Sequence, residues 1–452
     1  MKSMSTKYII LLLISHIYSQ SKVIYGNDTM NDFKALCSSD YGKVDLDLEL
    51  VRLTVIVRNG ERSPKIDTKS HWNNRMCIKC PGNVCTMSPC RDEMLTVKGY
   101  HQGHLLANFI KDQYYPKLSK KNTVESKNMP QNRNKRRIFW YNDNQALSEG
   151  QNGDKYSSYS ESAVPVTSIS SPYGFNRIIS SYSILEPETS PTIKGYFYTN
   201  AKHHVFLKSI VETLHYSNLT LKKIKPLTCT DECQKLRDSL YNKGKQPKHS
   251  FAAEFEQIIS SLCTDVPIDC SKFDCDLERM DDFLIQEKLD FEDSLAKMRE
   301  DITAVSVDFS QMASFLILAL DEPDDIQLVS VDNQSITTLL AGLNTSNNKP
   351  ISFGAAVFIE LWKNKSQEEF YSVLYNGKRM KFGLFKEAFV KKTEFMKYLK
   401  MFSSYSNRIK QICNEQIKDL NEKDLLDLKT AQVKNILEPF IEKLKKNRVL
   451  VK

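Results

Sequence analysis

Two short segments carry the densest sets of chemically capable side chains in this chain. The apolar run Leu53–Thr54–Val55–Ile56–Val57 leads directly into Arg58–Asn59–Gly60–Glu61–Arg62–Ser63–Pro64. Two guanidinium groups at such a spacing can hold the oxygens of a phosphate, a sulfate or an acidic sugar through paired N–H···O bonds. Far downstream, Ser330–Val331–Asp332–Asn333–Gln334–Ser335 precedes the apolar stretch Ile336–Thr337–Thr338–Leu339–Leu340. Neither segment contains an imidazole. The carboxamides of Asn59 and Asn333 have a delocalised nitrogen lone pair and no titratable proton, so neither can act as a nucleophile or a general acid.

Both segments resemble signatures of the histidine acid phosphatases. In that family an apolar strand runs into Arg-His-Gly-x-Arg-x-Pro, whose His accepts the phosphoryl group. The second signature reads Ser-Ala-His-Asp-Thr-Thr-Leu before an apolar helix. Two further stretches are similar to the family in the same order. Leu95, Thr96, Gly99, Gln102 and Leu106 match its Leu-Thr-x-x-Gly-x-x-Gln helix. Phe353–Trp362 with Val373–Lys378 matches an apolar strand ending in Glu-Leu before a hairpin to a Tyr-Asn-Gly turn. The resemblance spans about residues 48–380.

On this resemblance Asn59 stands in the nucleophile's seat, Asp332 in that of a second His, and Asn333 in that of the acid. Loss of a general acid alone costs about 10²–10⁴ in rate, and loss of the nucleophile from a concerted set on the order of 10⁶. Asp332 would turn a negative charge toward an anionic ligand, worth roughly 4 kcal/mol of repulsion at about 4 Å and an effective dielectric near 20. Arg58 and Arg62 remain as phosphate-binding residues, and His204, in Tyr196–His204, aligns with a third family Arg. Two readings of the arginines stay open: they grip an external anion, or Asp332 neutralises them in an internal ion pair. The resemblance implies no cofactor. It leaves a pseudophosphatase that binds an anionic small molecule or a protein partner. The alternative is an active acid phosphatase hydrolysing phosphate monoesters with Asp332 as nucleophile.

Metal chemistry has weaker claims. His101 and His104 share a helical face at i, i+3, but no third ligand follows at recognisable spacing. Cys77–x–x–Cys80 lies among Cys85, Cys90, Pro81, Gly82 and Pro89, which suits disulfide-pinned loops as well as zinc, and disulfides are the expectation for a chain exported to an oxidising compartment. The total of 11 cysteines leaves at least one thiol without an intramolecular partner.

The elements that must position these groups follow from periodicity. Leu48–Val57 predicts a buried strand, and Thr96 is the expected N-cap of a helix in which Leu105, Leu106, Phe109 and Ile110 recur at helical spacing. Residues 120–190, rich in Ser, Asn, Tyr and Gly, predict a long insertion. Met312–Leu320 and Gln327–Ser330 are buried strand or helix segments, and Phe315–Leu320 has the length of a strand. Leu425, Leu428, Val433, Ile436, Leu437, Phe440 and Leu444 mark an amphipathic tail helix that docks or offers itself to a partner. The expected architecture is α/β: a central, mainly parallel sheet flanked by helices, over residues 45–400, with a mostly helical cap inserted at about 116–300. A signal peptide over 1–19 and a helical tail over 401–452 complete it.

Lys2, Lys7 and the apolar run Tyr8–Ile14, followed by small and polar residues, have the layout of a secretory signal. The run is shorter than the roughly 20 residues a bilayer span needs, so a secreted chain without a transmembrane anchor is expected. Sequons at Asn27, Asn218, Asn333, Asn344 and Asn364 agree with that route. The net charge of +8 comes from basic residues interleaved with acids, and the densest run, Arg133–Arg137, is isolated. That pattern argues against a nucleic-acid partner, which requires a clustered basic stripe.

Overall fold

A computed structural model of the chain describes residues 35–42, 48–64, 72, 75–81, 85–118, 168–170, 176–178, 191–198, 200–214, 220–225, 227, 233, 235–236, 239–240, 259–264, 302–344, 351–382, 387–414 and 420–450. The signal segment 1–19, Arg133–Arg137, the sequons at Asn27 and Asn218, and Cys229, Cys270 and Cys275 lie outside these residues.

In chain order the elements are β1 (Glu49–Arg58), β2 (Met76–Lys79), β3 (Thr86–Pro89), α1 (Val97–Gln113), α2 (Tyr115–Leu118), β4 (Ser168–Ser170), β5 (Asn176–Ile178), β6 (Ile193–Tyr198), α3 (Ala201–Leu214) and β7 (Thr220–Ile224). They continue with α4 (Ile302–Asp321), β8 (Ile326–Val331), α5 (Asn333–Gly342), β9 (Ala356–Lys363), β10 (Glu369–Tyr375), β11 (Lys378–Arg379), β12 (Phe389–Lys391), α6 (Lys392–Ser403), α7 (Ser406–Asn414) and α8 (Glu422–Leu450). Contacts divide the chain into one unit of 1–118 with 191–452 and another of 119–190. Within the second, β4 and β5 form an antiparallel pair.

The main sheet runs β11-β10-β9-β1-β8-β6-β7, with β12 alongside β10. Its centre is parallel: β1 pairs with β8, β8 with β6, and β6 with β7. β9 and β10 extend it antiparallel. The chain is therefore an α/β protein with helices on both faces of a mixed sheet. Strand alternation builds the two cores. Leu53, Val55 and Val57 of β1, with Leu328 and Phe358, meet Leu106 and Ile110 of α1 and Phe206 and Ile210 of α3. Ile56, Val329, Val331, Val357 and Ile359 point the other way, against Phe309, Met312 and Leu316 of α4, Ile336 and Leu339 of α5, and Phe395 and Phe402 of α6.

One expectation is corrected and two open readings are decided. Phe315–Leu320 is the last part of helix α4, not a strand; periodicity cannot separate a short apolar run of buried strand from buried helix. Residues 193–224, inside the range expected for a helical cap, supply β6, α3 and β7 of the main sheet. Cys37 and Cys413, isolated in sequence, are paired: Cys37 with Cys263 and Cys413 with Cys233. The Cys77–Cys90 and Cys80–Cys85 disulfides close the β2–β3 hairpin, so these four cysteines take the disulfide alternative. The tail docks through Val433 and Leu437 of α8, which are buried against Leu236, Leu240, Val307, Ile409 and Ile412.

Candidate functional site

Arg58 is the register partner of Val331 in the parallel pair β1–β8, and Phe197 of β6 is the partner of Ser330. Asn59, Asp332 and the segment after Tyr198 consequently leave the sheet side by side, at the carboxyl ends of three parallel strands. Open α/β sheets place ligand sites at that edge.

The Asn59–Ser63 loop is held by α1. Thr96 is its N-cap and accepts from the Gly99 amide. The Thr96 hydroxyl also lies 3.1 Å from the Glu61 carbonyl and 2.9 Å from Glu61 Oε1. Gln102 Oε1 accepts from the Glu61 amide at 2.8 Å, and Gln102 Nε2 donates to the Cys37 carbonyl. A β-carbon on Gly60 would lie 2.3 Å from the Gly99 carbonyl oxygen, so the loop and helix backbones touch. The Thr-x-x-Gly-x-x-Gln pattern is therefore a clamp that fixes where Asn59 and Arg62 stand.

Within this frame Asn59 is buried and its Nδ2 donates to the Gly60 carbonyl at 2.8 Å. Asp332 is the N-cap of α5: its Oδ1 accepts from the Ser335 amide at 2.8 Å and from the Ser335 hydroxyl at 2.7 Å. Asn333 opens the helix, and its Oδ1 is buried with no hydrogen-bond partner. The Ser335 hydroxyl also meets Tyr198 Oη at 2.6 Å, and Tyr198 accepts from the Leu227 amide. Burial, with Asp332 nearby, raises the Tyr198 phenol far above its ordinary range.

The internal ion pair between the arginines and Asp332 is not among the described contacts. A carboxylate immediately before a helix is closest to that helix's own unpaired amides, and Asp332 is spent on them. Arg58 lies against Phe353, its guanidinium carbon 4.3 Å from the ring centre, and donates to the Ile351 carbonyl. Arg62 Nη1 meets the Glu93 carboxylate at 3.1 Å.

The remaining expected phosphate-binding residue is His204. Its ring packs 5.0 Å from that of Phe197, and burial together with Lys208 and Lys223 lowers its pKa. Lys202, two residues earlier on α3, shares a partner with Arg62: its Nζ is 3.0 Å from the same Glu93 Oε1 that pairs with Arg62. Asn200 Nδ2 donates to Glu93 Oε2 at 3.1 Å. His203 lies beneath them, buried, its Nδ1 3.2 Å from the Ser330 hydroxyl and its ring edge-on to Tyr198. Burial, then the positive charges of Lys202 and Arg62, hold His203 well below the usual imidazole range. It is neutral at neutral pH.

Glu93, Asn200 and Lys202 are absent from the residues that sequence reasoning selects. For Lys202 a signal existed in the Ala201–Lys202–His203–His204 run, where a helical start allows a shift of two positions. For Glu93 there was none: its place is set by the turn before α1, where its amide donates to the Pro64 carbonyl at 3.2 Å.

A scan of protein-family models and a search of curated proteins find no match. Among solved structures the chain is similar to an apo phytase from Hafnia alvei, at 10% identity and a TM-score of 0.42, over 80% of this chain and 98% of that one. It is similar to a phytase from D. castellii at 10% identity and 0.44, over 86% of this chain and 88% of that one. A phytase from Citrobacter braakii is similar at 11% identity and 0.39, over 78% and 98%.

Proposed function

We propose that this chain is a pseudophosphatase: a secreted, disulfide-bonded protein on a histidine acid phosphatase framework that binds an anionic group in its cleft without cleaving it. The observation that carries the reading is the pairing of Asn59 and Asp332 at the ends of neighbouring parallel strands. An amide bonded to its own loop and a carboxylate capping a helix stand where the resemblance calls for two imidazoles. Asn333, in the acid's seat, can protonate nothing. Arg62 and Lys202 keep positive charge at the strand ends, which supports anion binding as the surviving property. The four disulfides support residence in an oxidising compartment. Asn344 and Asn364, partly exposed, are the described sequons best placed for glycosylation.

The test is hydrolysis of p-nitrophenyl phosphate by the full chain from about pH 4 to 8, a range that spans carboxylate and imidazole titration. Wild type and an Arg58→Ala/Arg62→Ala variant are expected to give the same background. Turnover by wild type above that variant overturns the reading, and Asp332→Asn and His203→Gln variants then assign the group responsible.

A further inference from the structure

We infer that Glu93 is an internal anion seated between Arg62 and Lys202, so that an oxyanion enters this cleft only by displacing a carboxylate of the chain itself. The inference rests on reading the cleft as an anion pocket and concerns how that pocket is controlled.

One oxygen, Oε1 of Glu93, is shared by Arg62 Nη1 at 3.1 Å and Lys202 Nζ at 3.0 Å. The other, Oε2, accepts from Asn200 Nδ2 at 3.1 Å. Two cations and an amide donor converging on a pair of oxygens is the set a tetrahedral oxyanion such as phosphate would recruit. The donors come from two places, the loop after β1 and the start of α3, where the Lys202 amide donates to Asn200 Oδ1 at 3.1 Å, and Glu93 bridges the two.

Its backbone is committed to that position. Glu93 adopts φ of 55°, the left-handed region that residues with a β-carbon seldom occupy. The turn holds it there: the Glu93 amide donates to Pro64, the Met94 amide to Arg91 and to the Ser63 hydroxyl, and the Cys77–Cys90 disulfide anchors the chain just upstream. The side chain itself is 34% exposed, against 8% for each of its cationic partners, so water reaches the carboxylate while the cations stay enclosed. A carboxylate at the rim can rotate out and leave two cations facing an incoming anion. Burial raises the Glu93 pKa, and Arg62, Lys202 and Asn200 more than reverse that, so the plug is ionised at neutral pH.

The experiment titrates inorganic phosphate into the full chain by calorimetry at fixed ionic strength. Glu93→Gln keeps the shape and removes the charge; Glu93→Gly removes the side chain and suits the left-handed backbone. Both are expected to bind phosphate at least tenfold more tightly than wild type, and adding Lys202→Met to either cancels the gain. Folded variants with wild-type affinity overturn the inference. Wild type supplies a separate readout: saturating phosphate shifts the carbon-13 resonance of the Glu93 side-chain carboxyl if that carboxylate is expelled, and an unchanged resonance at saturation overturns the inference. Turnover of p-nitrophenyl phosphate is scored apart. Catalysis overturns the pseudophosphatase reading and leaves the plug standing, whereas equal phosphate affinities remove the plug and leave that reading.

Discussion

Asn59 and Asp332 are the first residues beyond neighbouring parallel strands, because Arg58 and Val331 are register partners at the ends of β1 and β8. Each side chain is turned to local work, Asn59 to the Gly60 carbonyl and Asp332 to the α5 cap. The arrangement separates two uses of Asp332, as a helix cap and as a partner for the arginines.

Asp332→Ala is expected to destabilise the protein by about 0.5–2 kcal/mol, the usual cost of losing an N-cap acceptor, and Asp332→Asn by much less because Asn caps equally well. Urea denaturation of both variants measures this. A large loss in Asp332→Asn would mean that the charge, rather than the cap, is what the fold uses.

His203 predicts an acid-side loss of stability. Its folded pKa lies well below 6.5, so as pH falls through 6.5 the unfolded chain takes up a proton that the folded chain refuses. Stability is full above the unfolded pKa and is lost on going below it, at up to about 1.4 kcal/mol per pH unit. Glu93, also depressed, adds its loss only below about 4.5. Denaturation midpoints between pH 7 and 5 should fall in wild type and run flatter in His203→Gln. Parallel curves would remove His203 as the cause.

Gly99→Ala tests the clamp between the loop and α1. Its β-carbon would sit 2.0 Å from the Glu61 carbonyl oxygen, backbone against backbone, so no side chain can yield. A loss of roughly 1–3 kcal/mol or more is expected, with weaker phosphate binding in the Glu93→Gln background because Arg62 moves with the loop. A well-folded Gly99→Ala protein with unchanged melting temperature would show that the contact is not tight.

The Cys233–Cys413 bridge joins segments 180 residues apart and borders the cluster that buries Val433 and Leu437. Replacing both cysteines by serine should cost about 2–5 kcal/mol. Hydrogen exchange should quicken first in α7 and α8, since their apolar contacts concentrate at this bridge. Uniform quickening across the sheet would instead place the tail in the global folding unit.

The chain's linear order already determined the frame of the site. The apolar run Leu53–Val57, the Thr96 cap and the Gly-Gln spacing after it are local patterns, and local patterns survive without knowing the fold. The absence of an imidazole from both segments is likewise a matter of residue identity. Tertiary structure alone decided which charges meet. Glu93, Asn200 and Lys202 converge because a turn after a disulfide-closed hairpin approaches the start of a helix more than 100 residues later, and no periodicity in sequence encodes that approach. The same holds for Cys37 with Cys263. Short-range capping took Asp332, and long-range packing delivered Lys202 where the alignment pointed to His204, because helix α3 turns successive residues to different faces and only its packing on the sheet chooses among them.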